Sequence, residues 1–324
     1  MTVMQSLKKF FIDTPIATFN RNYVWFSIWL GSNFTIVYTL FYHLYARRIV
    51  RVEKDGRVGM PQFAMRIVDG CNLRCEYCTA HSPYVHGLLP ADELITSFKE
   101  WRKKIHPRVF ILHGGEPLLH PELERLVRES ANIWNDSKLS LITNGLLLER
   151  LKPEVLQAIK ETGYEVTISE HTFDPEHRKT LDAGYARLQE AKILFVSSPS
   201  RVAWVAVHDY DEEGKVVPYR SDPKKAWNQC LFRHCVVVDE NQLYRCAYLR
   251  SVVRALRKGG LDTDTWKAAL TYTPLTLAAT PEEIVEHLRS PAMPACSVCP
   301  SRRKIVPARQ LPPKKKETIA ETVG

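Results

Sequence analysis

The feature that most constrains this chain is a group of three cysteines, Cys71, Cys75 and Cys78, spaced by three and then two residues. They follow a short apolar run at residues 63–68 that has the character of a strand. A tight loop at this point would gather three thiolates at the carboxyl end of the strand. Thiolates bind zinc and iron-sulfur clusters, and a cubane cluster held entirely by protein requires four of them. The loop therefore predicts a metal centre that these three cysteines do not complete.

Two kinds of metal centre fit this loop. Zinc bound by three cysteines takes a nearby histidine as its fourth ligand, and His81 lies shortly after Cys78. A [4Fe-4S] cluster on the same thiolates would instead keep one iron open for a small ligand. The residues of the loop alone leave both alternatives open.

Downstream of residue 61, short apolar runs alternate with helical stretches, which is typical of a parallel α/β sheet. The pattern predicts six strands, at residues 63–68, 109–113, 139–143, 165–169, 194–197 and 202–207. It also predicts helices at residues 90–105, 121–134, 153–161 and 176–191. Six units are too few for a closed eight-stranded barrel. Ligands of such sheets bind at the carboxyl ends of the strands, so we expect functional residues there.

A glycine-rich turn, residues 113–117 (HGGEP), follows the second predicted strand. Two glycines allow a backbone to approach a ligand closely, and the glutamate can accept hydrogen bonds from an ammonium group. Other polar side chains also lie at predicted strand ends and are candidates to face a substrate: His113, His171, His208, Asp209 and Tyr210.

The cysteine loop and the glycine turn together resemble the motifs of the radical S-adenosylmethionine (SAM) superfamily. The signature of that family is CxxxCxΦC, with an aromatic residue before the last cysteine, and its GGEP motif matches residues 114–117. The resemblance implies an α/β fold with an open, partial (β/α)6 TIM-like barrel. It also implies a [4Fe-4S] cluster on the three cysteines, with SAM chelated to the open iron. The residues that it implies for SAM binding are Tyr77, Gly114, Gly115, Glu116, Asn144 and Ser169.

Five further cysteines lie after the predicted barrel: Cys230, Cys235, Cys246, Cys296 and Cys299. Residues 236–245 have the alternation of a β-hairpin, and helices are predicted at residues 252–258 and 282–289, the second with Thr280 and Glu283 as a capping box. Clustered cysteines in a chain of this length are typical of metal ligands in a reducing compartment.

These later cysteines resemble the twitch domain, a shortened SPASM domain that carries one auxiliary [4Fe-4S] cluster. A cubane takes four thiolates and five are present, so either Cys230 or Cys235 is predicted to be spare. A spare thiol could donate a hydrogen atom to a substrate radical, or it could be an inert buried residue. A structural zinc site is the simpler alternative to the second cluster.

The N-terminal residues 1–57 include a long apolar stretch. Residues 24–45 contain no Asp, Glu, Lys or Arg, and roughly 20 apolar residues are enough for a helix to cross a bilayer. The polar break at residues 31–33 equally permits two short helices in the membrane interface, and a helix packed on the barrel or on a partner is the third alternative. Arg47, Arg48 and Arg51 would keep the following domain on the cytoplasmic side.

The chain is thus predicted to have four parts. They are the N-terminal segment (1–57), the partial barrel (58–225), a small C-terminal domain with the hairpin, helices and second cysteine group (226–304), and a disordered basic tail (305–324). Much of the net charge of +9 lies in the flanks. An anionic membrane surface is a candidate partner, and no nucleic-acid partner is expected.

The resemblance implies an enzyme that cleaves SAM reductively to a 5′-deoxyadenosyl radical, which abstracts hydrogen from a small-molecule substrate. A low-potential donor such as flavodoxin or ferredoxin would supply the electron. An auxiliary cluster favours a net oxidation of an alcohol or amine. The alternatives are a radical epimerase or rearrangement enzyme, a peptide-modifying maturase, and a non-enzymatic, membrane-tethered iron-sulfur electron carrier or scaffold. The predicted location is the cytoplasm, with tethering to the cytoplasmic face of a membrane as a variant.

Overall fold

The computed structural model describes residues 48–171, 174–199, 203–230, 232 and 235–311. The apolar stretch at residues 24–45 and the end of the basic tail lie outside these residues, and the predictions made for them stay predictions. Within the described ranges, none of the helices is long and apolar enough to cross a membrane.

A mostly parallel sheet forms the centre of the fold. Its main strands are β2 (Val58–Arg66), β3 (Ile105–His113), β4 (Lys138–Thr143), β5 (Glu165–Glu170) and β6 (Phe195–Pro199), which lie side by side in this order. All four neighbouring pairs are parallel. A short strand β1 (Arg51–Val52) pairs antiparallel with the beginning of β2.

Four helices connect these strands and cover one face of the sheet. They are α1 (Ala91–Arg102), α2 (Leu123–Ile133), α3 (Pro153–Thr162) and α4 (Pro175–Glu190). The ends of α3 follow from its sequence, because Pro153 occupies the first turn and Gly163 ends the helix in the left-handed conformation, with φ at 72°. The aromatic core between helices and sheet includes Phe110 stacked on Trp134, with ring centroids 5.0 Å apart.

The predicted α/β class with a partial TIM-like barrel is confirmed, but the sixth predicted strand is wrong. The residues predicted at 202–207 contain β7 (Ala203–Val205), which pairs antiparallel with β12 (Ile305–Pro307) instead of joining the central sheet. Only residues 200–202 separate β6 from β7, and a parallel crossover needs about a dozen residues or more. The sixth parallel strand is β10 (Val237–Asp239), which lies beside β2 on the side away from β3.

The C-terminal hairpin forms as predicted and extends the same sheet. Strand β10 pairs antiparallel with β11 (Gln242–Tyr244), and the turn residues Glu240 and Asn241 both have positive φ, which suits a two-residue hairpin turn. The hairpin is therefore continuous with the barrel sheet, although the sequence assigned it to a separate domain. Two further short strands, β8 (Asp209–Tyr210) and β9 (Val216–Val217), pair with each other.

The remaining helices surround the second cysteine group. They are α5 (Pro223–Gln229), α6 (Ala247–Arg257), α7 (Thr263–Trp266) and α8 (Pro281–Arg289). The capping box of α8 is present as predicted, with the Thr280 amide 2.7 Å from the Glu283 carboxylate and the Glu283 amide 3.2 Å from the Thr280 hydroxyl. Helix α6 begins five residues earlier than predicted, at Ala247, because it starts directly after Cys246 at its N-cap.

The basic tail was predicted to be disordered from residue 305 onward, and the first part of that prediction is wrong. Residues 305–307 form β12, in which Val306 is buried against β7. Ile305 and Val306 are β-branched residues that favour a strand, and the prolines and basic residues around them hide this signal in the composition.

Candidate functional site

The first cysteine group lies in the loop that follows β2. The backbone turns tightly there, with the Cys78 amide donating to the Cys75 carbonyl at 3.2 Å. Burial raises the pKa of the Cys71 thiol, and the charge of Glu116 raises it further. Burial likewise raises the pKa of Cys75 to about 12. A bound metal reverses this preference, because a coordinating thiol is deprotonated. Three thiols in one turn, with no fourth cysteine in the loop, fit a cluster with one open iron.

The glycine turn packs directly against this loop. A Cβ atom on Gly115 would lie 2.2 Å from the carbonyl oxygen of Gly70, and one on Gly114 would lie 2.6 Å from Val68. The Glu116 amide also donates to the Gly70 carbonyl at 2.9 Å. The two glycines thus allow close contact with the backbone that leads into the cysteines, and the contact of Gly114 and Gly115 with SAM that the resemblance implies stays a prediction.

The carboxylate of Glu116 is fully buried and holds the end of β4. It accepts hydrogen bonds from the Thr143 hydroxyl at 2.6 Å, the Asn144 amide at 2.8 Å and the Leu118 amide at 3.1 Å. Burial raises its pKa to about 7, although these three hydrogen bonds act in the opposite direction. A carboxylate offers about four acceptor positions, and groups of the protein occupy three of them here.

Asn144 lies between the glycine turn and the first cysteine. Its side-chain amide nitrogen is 2.7 Å from the Asn72 side-chain oxygen and 3.7 Å from the Cys71 sulfur. Asn144 thus joins the end of β4 to the cysteine loop. Ser169 lies near the end of β5, the next strand of the sheet. The structure therefore brings the glycine turn, Asn144 and Ser169 to the same edge of the sheet as Cys71.

Tyr77 packs against the segment that carries β8. Its ring stacks on that of His208 at 5.3 Å and meets the ring of Tyr210 edge-on at 5.5 Å. The Tyr210 hydroxyl donates to the Glu76 carbonyl, and the His208 Nε2 atom lies 3.2 Å from the same oxygen. These side chains therefore support the cysteine loop from one side.

The other histidines singled out by the sequence are also packed into the protein. His81 is buried among the rings of Tyr84, His208, Tyr248 and Trp266. Burial lowers the pKa of His113 to about 3 and that of His171 to about 4, so both rings are neutral near pH 7. His113 pairs with Arg66 in the register of β3 and β2.

A buried ionic network links the first cysteine loop to α6, and the sequence did not reveal it. Asp69, two residues before Cys71, accepts hydrogen bonds from Arg66 at 2.8 Å, Arg254 at 3.0 Å and Arg250 at 3.1 Å. Arg250 also contacts Asp239 of the hairpin at 2.7 Å. Burial alone would raise the pKa of Asp69, but the three guanidinium groups outweigh it and hold the pKa at about 2. The spacing of Arg250 and Arg254 by one helical turn was the only available signal.

The second cysteine group surrounds a small pocket. The thiols of Cys230, Cys246, Cys296 and Cys299 line it, and its volume is about 20 Å³. Most other lining residues are apolar or aromatic, including Trp227, Phe232 and Met293. Among the residues that the structure describes, no three His, Cys, Asp or Glu side chains, in either cysteine group, are close enough to hold a single metal ion.

Cys235 is the fifth cysteine, and it does not line this pocket. The Gln62 side-chain nitrogen of β2 lies 3.7 Å from its sulfur. Burial raises the pKa of the Cys235 thiol to about 12. The sequence left Cys230 and Cys235 as equal candidates for the spare thiol. Cys230 lines this pocket and Cys235 does not, although the charge of the nearby Cys246 also raises the pKa of Cys235.

Comparison with known protein families gives one match: residues 65–191 match the model of the radical SAM superfamily. The match begins within β2 and ends just after α4, so it includes Cys71, Cys75 and Cys78 and the glycine turn. The superfamily resemblance noted in the sequence is thereby confirmed for this part of the chain.

Several curated proteins are similar to part of the chain. A GTP 3′,8-cyclase of Microcystis aeruginosa is 39% identical over 116 residues, which cover 34% of each chain. A GTP 3′,8-cyclase of Aquifex aeolicus is 32% identical over 133 residues, covering 39% of this chain and 40% of the relative. The chain thus matches about a third to two fifths of the length of these relatives.

Solved structures give weaker likenesses. BtrN in complex with AdoMet and 2-DOIA is 15% identical, with a TM-score of 0.35 over 59% of this chain and 75% of BtrN. Native anSMEcpe with bound AdoMet is 19% identical, with a TM-score of 0.35 over 42% of this chain and 43% of anSMEcpe.

Proposed function

We propose, from the premise that residues 65–191 form a radical SAM domain, that this chain is an enzyme that abstracts hydrogen from a small-molecule substrate. The observation that carries the proposal is the junction of the three-cysteine loop with the buried carboxylate of Glu116, joined through Asn144. When bound, a [4Fe-4S] cluster and SAM supply a 5′-deoxyadenosyl radical. The residues of this chain hold the two cofactors and the substrate in place.

Under the proposal, the residues singled out at this edge of the sheet bind the cluster and SAM. Cys71, Cys75 and Cys78 bind the cluster, and the carboxylate of Glu116 takes the amino group of SAM. Gly114 and Gly115 keep the turn of Glu116 close to the cysteine loop. Tyr77, Asn144 and Ser169 complete the set of SAM contacts at the strand ends.

The second cysteine pocket favours a net oxidation. Four thiols would ligate every iron of a cubane cluster, which leaves no iron position for a substrate and suits a group that stores an electron. A substrate that loses a hydrogen atom and then an electron and a proton is oxidised by two electrons overall. On this geometry we propose the oxidation of an alcohol or amine.

A second candidate is a radical cyclisation or rearrangement without net oxidation. It is supported by the relatives named GTP 3′,8-cyclase, although each match covers only a part of both chains. Under this alternative the substrate would be a purine nucleotide, and Cys235, the thiol outside the second pocket, would be available as a hydrogen donor.

The partners follow from the same proposal. A low-potential donor such as flavodoxin or ferredoxin would reduce the first cluster, and the thiol ligands require a reducing compartment such as the cytoplasm. Attachment to a membrane surface would depend on the apolar stretch at residues 24–45, which lies outside the described residues.

The first experiment tests SAM cleavage. The protein is reconstituted anaerobically with iron and sulfide, reduced with dithionite and given SAM, and 5′-deoxyadenosine is measured by liquid chromatography. We expect 5′-deoxyadenosine from the wild-type protein and none from Cys78→Ala. A protein that binds about eight irons but produces no 5′-deoxyadenosine would contradict the proposal and favour an electron carrier.

The second experiment separates the two reaction classes. GTP is added to the same assay, and both 5′-deoxyadenosine and nucleotide products are followed. A clear acceleration together with a new nucleotide product would support cyclisation. In a second set of assays, amines and alcohols are supplied as substrates in D₂O. Oxidation predicts a product without deuterium at the reacting carbon. A thiol-quenched epimerisation predicts a product that carries deuterium there. A modified peptide product would support the maturase alternative.

A further inference from the structure

After the second cysteine group, the chain returns to the first one. Residues 305–307 form β12 beside β7, and the chain then reaches the cysteine loop, where Gln310 forms an isolated antiparallel bridge with Cys75. We call residues 305–311 the C-terminal clasp.

The backbone of the clasp pairs with the loop on both sides of Cys75. The Glu76 amide donates to the Arg309 carbonyl at 3.0 Å, and the Leu311 amide donates to the Arg74 carbonyl at 2.7 Å. Each of these backbone groups would otherwise need water or another partner. A segment far along the sequence therefore fixes the conformation of the loop between Cys71 and Cys78.

The side chain of Gln310 makes three hydrogen bonds that span the open end of the sheet. Its Nε2 atom donates to the Cys75 sulfur at 3.3 Å and to the His171 carbonyl at 3.0 Å, while its Oε1 atom accepts from the Arg74 amide at 2.9 Å. His171 directly follows β5, and Cys75 belongs to the loop after β2. One side chain thus connects the ends of two strands that β3 and β4 separate.

We propose that Gln310 is a positioning residue of the first cysteine site, which holds the Cys75 sulfur and joins the loop to the end of β5. This inference rests on the proposed function, in which Cys75 is a cluster ligand. The amide hydrogen bond to sulfur also gives Gln310 a measurable effect. Reduction potentials of iron-sulfur clusters depend on hydrogen bonds to their sulfurs, and a donor stabilises the more negative, reduced state. Removing the donor should therefore lower the potential of the first cluster.

The experiment is a redox titration followed by electron paramagnetic resonance, without SAM or substrate. It compares the full-length wild-type protein, Gln310→Leu, Gln310→Glu and the control Gln157→Leu, whose amide contacts Glu161 on the surface of α3. The signal of the first cluster is assigned by its loss in Cys78→Ala. Gln310 is exposed, so its variants should fold.

We expect the midpoint potential of the first cluster to fall from wild type to Gln310→Leu and further to Gln310→Glu, where a carboxylate faces the sulfur. The second cluster and Gln157→Leu should keep wild-type potentials. Failure of a Gln310 variant to load the first cluster while it loads the second would also support the proposal, because the Cys75 position would then depend on Gln310.

Equal loading and equal potentials in wild type and both Gln310 variants would overturn the inference. The absence of SAM cleavage by the wild-type protein would instead contradict the proposed function. The two failures are distinguishable, because the potentials are measured without SAM.

Discussion

The two cysteine groups of this molecule differ in thiol number and in the polarity of their surroundings. The first has three cysteines in one loop, with side-chain amides near two of the sulfurs, those of Cys71 and Cys75. The second has four cysteines around a small pocket lined mainly by apolar side chains. A three-thiol site leaves an iron for chemistry, whereas a four-thiol site closes the cluster and suits electron storage. Under the proposed function, the first group is the reactive centre and the second is the redox centre.

The two centres are built on a common framework. Asp69 precedes the first group and binds Arg250 and Arg254 of α6, the helix that begins after Cys246. Strand β10 of the hairpin pairs with β2, which leads into the first group. The positions of the two centres are therefore coupled through buried contacts.

The largest expected effect comes from removing single cysteines. Cys78→Ala should abolish SAM cleavage completely, because the first cluster loses one of its three ligands. Cys296→Ala should lower the iron content by about half and stop product formation, yet retain reductive cleavage of SAM. Iron analysis and 5′-deoxyadenosine production check both expectations. Loss of SAM cleavage in Cys296→Ala would show that the two centres do not have separate roles.

The next largest effect is expected from removing the charge of Asp69, which joins the two centres. Asp69→Asn leaves three buried guanidinium groups without their shared carboxylate, which should lower the free energy of unfolding by about 3–5 kcal/mol. Asp182→Asn is the control, since Asp182 pairs with Arg178 one turn away on the exposed surface of α4 and its loss should leave the free energy of unfolding nearly unchanged. Urea unfolding measures both. A similarly small loss of unfolding free energy in the two variants would contradict the coupling of the two centres through Asp69.

The pKa of Asp69 adds a pH dependence to the same comparison. Because the folded-state pKa is lowered to about 2, the stabilisation is fully present above the ordinary aspartate pKa. It is lost as the pH falls toward the folded value. Asp69→Asn should therefore unfold with a flatter pH dependence than the wild type in this acidic window.

Gly115→Ala should damage the first centre selectively. The added Cβ atom would lie 2.2 Å from the Gly70 carbonyl oxygen, so we expect a loss of about 3 kcal/mol in unfolding free energy and a poorly loaded first cluster. Gly163→Ala is the control, because its Cβ atom meets no atom within 4 Å and the cost is the left-handed conformation alone, about 1–2 kcal/mol. Full loading of the first cluster in Gly115→Ala would refute this account of the turn.

SAM binding should depend on pH through Glu116. Burial raises the pKa of this carboxyl to about 7, so its charged form increases as the pH rises through that value. The affinity for SAM should therefore rise about tenfold between about pH 6 and pH 8, as measured by equilibrium binding to the reconstituted protein. Glu116→Gln should bind SAM weakly and with a flat pH profile. An equal pH dependence in this variant would assign the titration to another group.

The smallest expected effect belongs to Cys235. Cys235→Ser should leave the iron content unchanged, because Cys235 lies outside the second pocket. Cys230→Ser is the matched comparison and should lose the second cluster. If Cys235→Ser loses it instead, the assignment of the four ligands is wrong.

Features that depend only on neighbouring residues could be predicted from the sequence. The Cys71–Cys78 spacing, the turn at Gly115 and the hairpin turn at Glu240 each depend on neighbouring residues, and each lies where the pattern indicated. The parallel class of the sheet followed from the alternation of strands and helices.

Contacts between segments that are far apart in the chain could not be predicted from the sequence. It could not show that β10 lies beside β2, that β7 pairs with β12, or that Gln310 reaches Cys75, because such pairings depend on tertiary packing. The choice between Cys230 and Cys235 was undecided for the same reason. Which of these two thiols lines the pocket depends on the folded positions of the surrounding segments.

The assignment of the open iron to the first centre is tested most directly by electron-nuclear double resonance. The measurement uses the reduced protein and SAM labelled with ¹⁵N at the amino group. We expect a ¹⁵N coupling to the cluster at Cys71, Cys75 and Cys78. The coupling should persist in Cys296→Ala and vanish in Cys78→Ala. A coupling that vanishes in Cys296→Ala and persists in Cys78→Ala, or that is absent from the wild-type protein, would contradict the assignment of the open iron to the first centre.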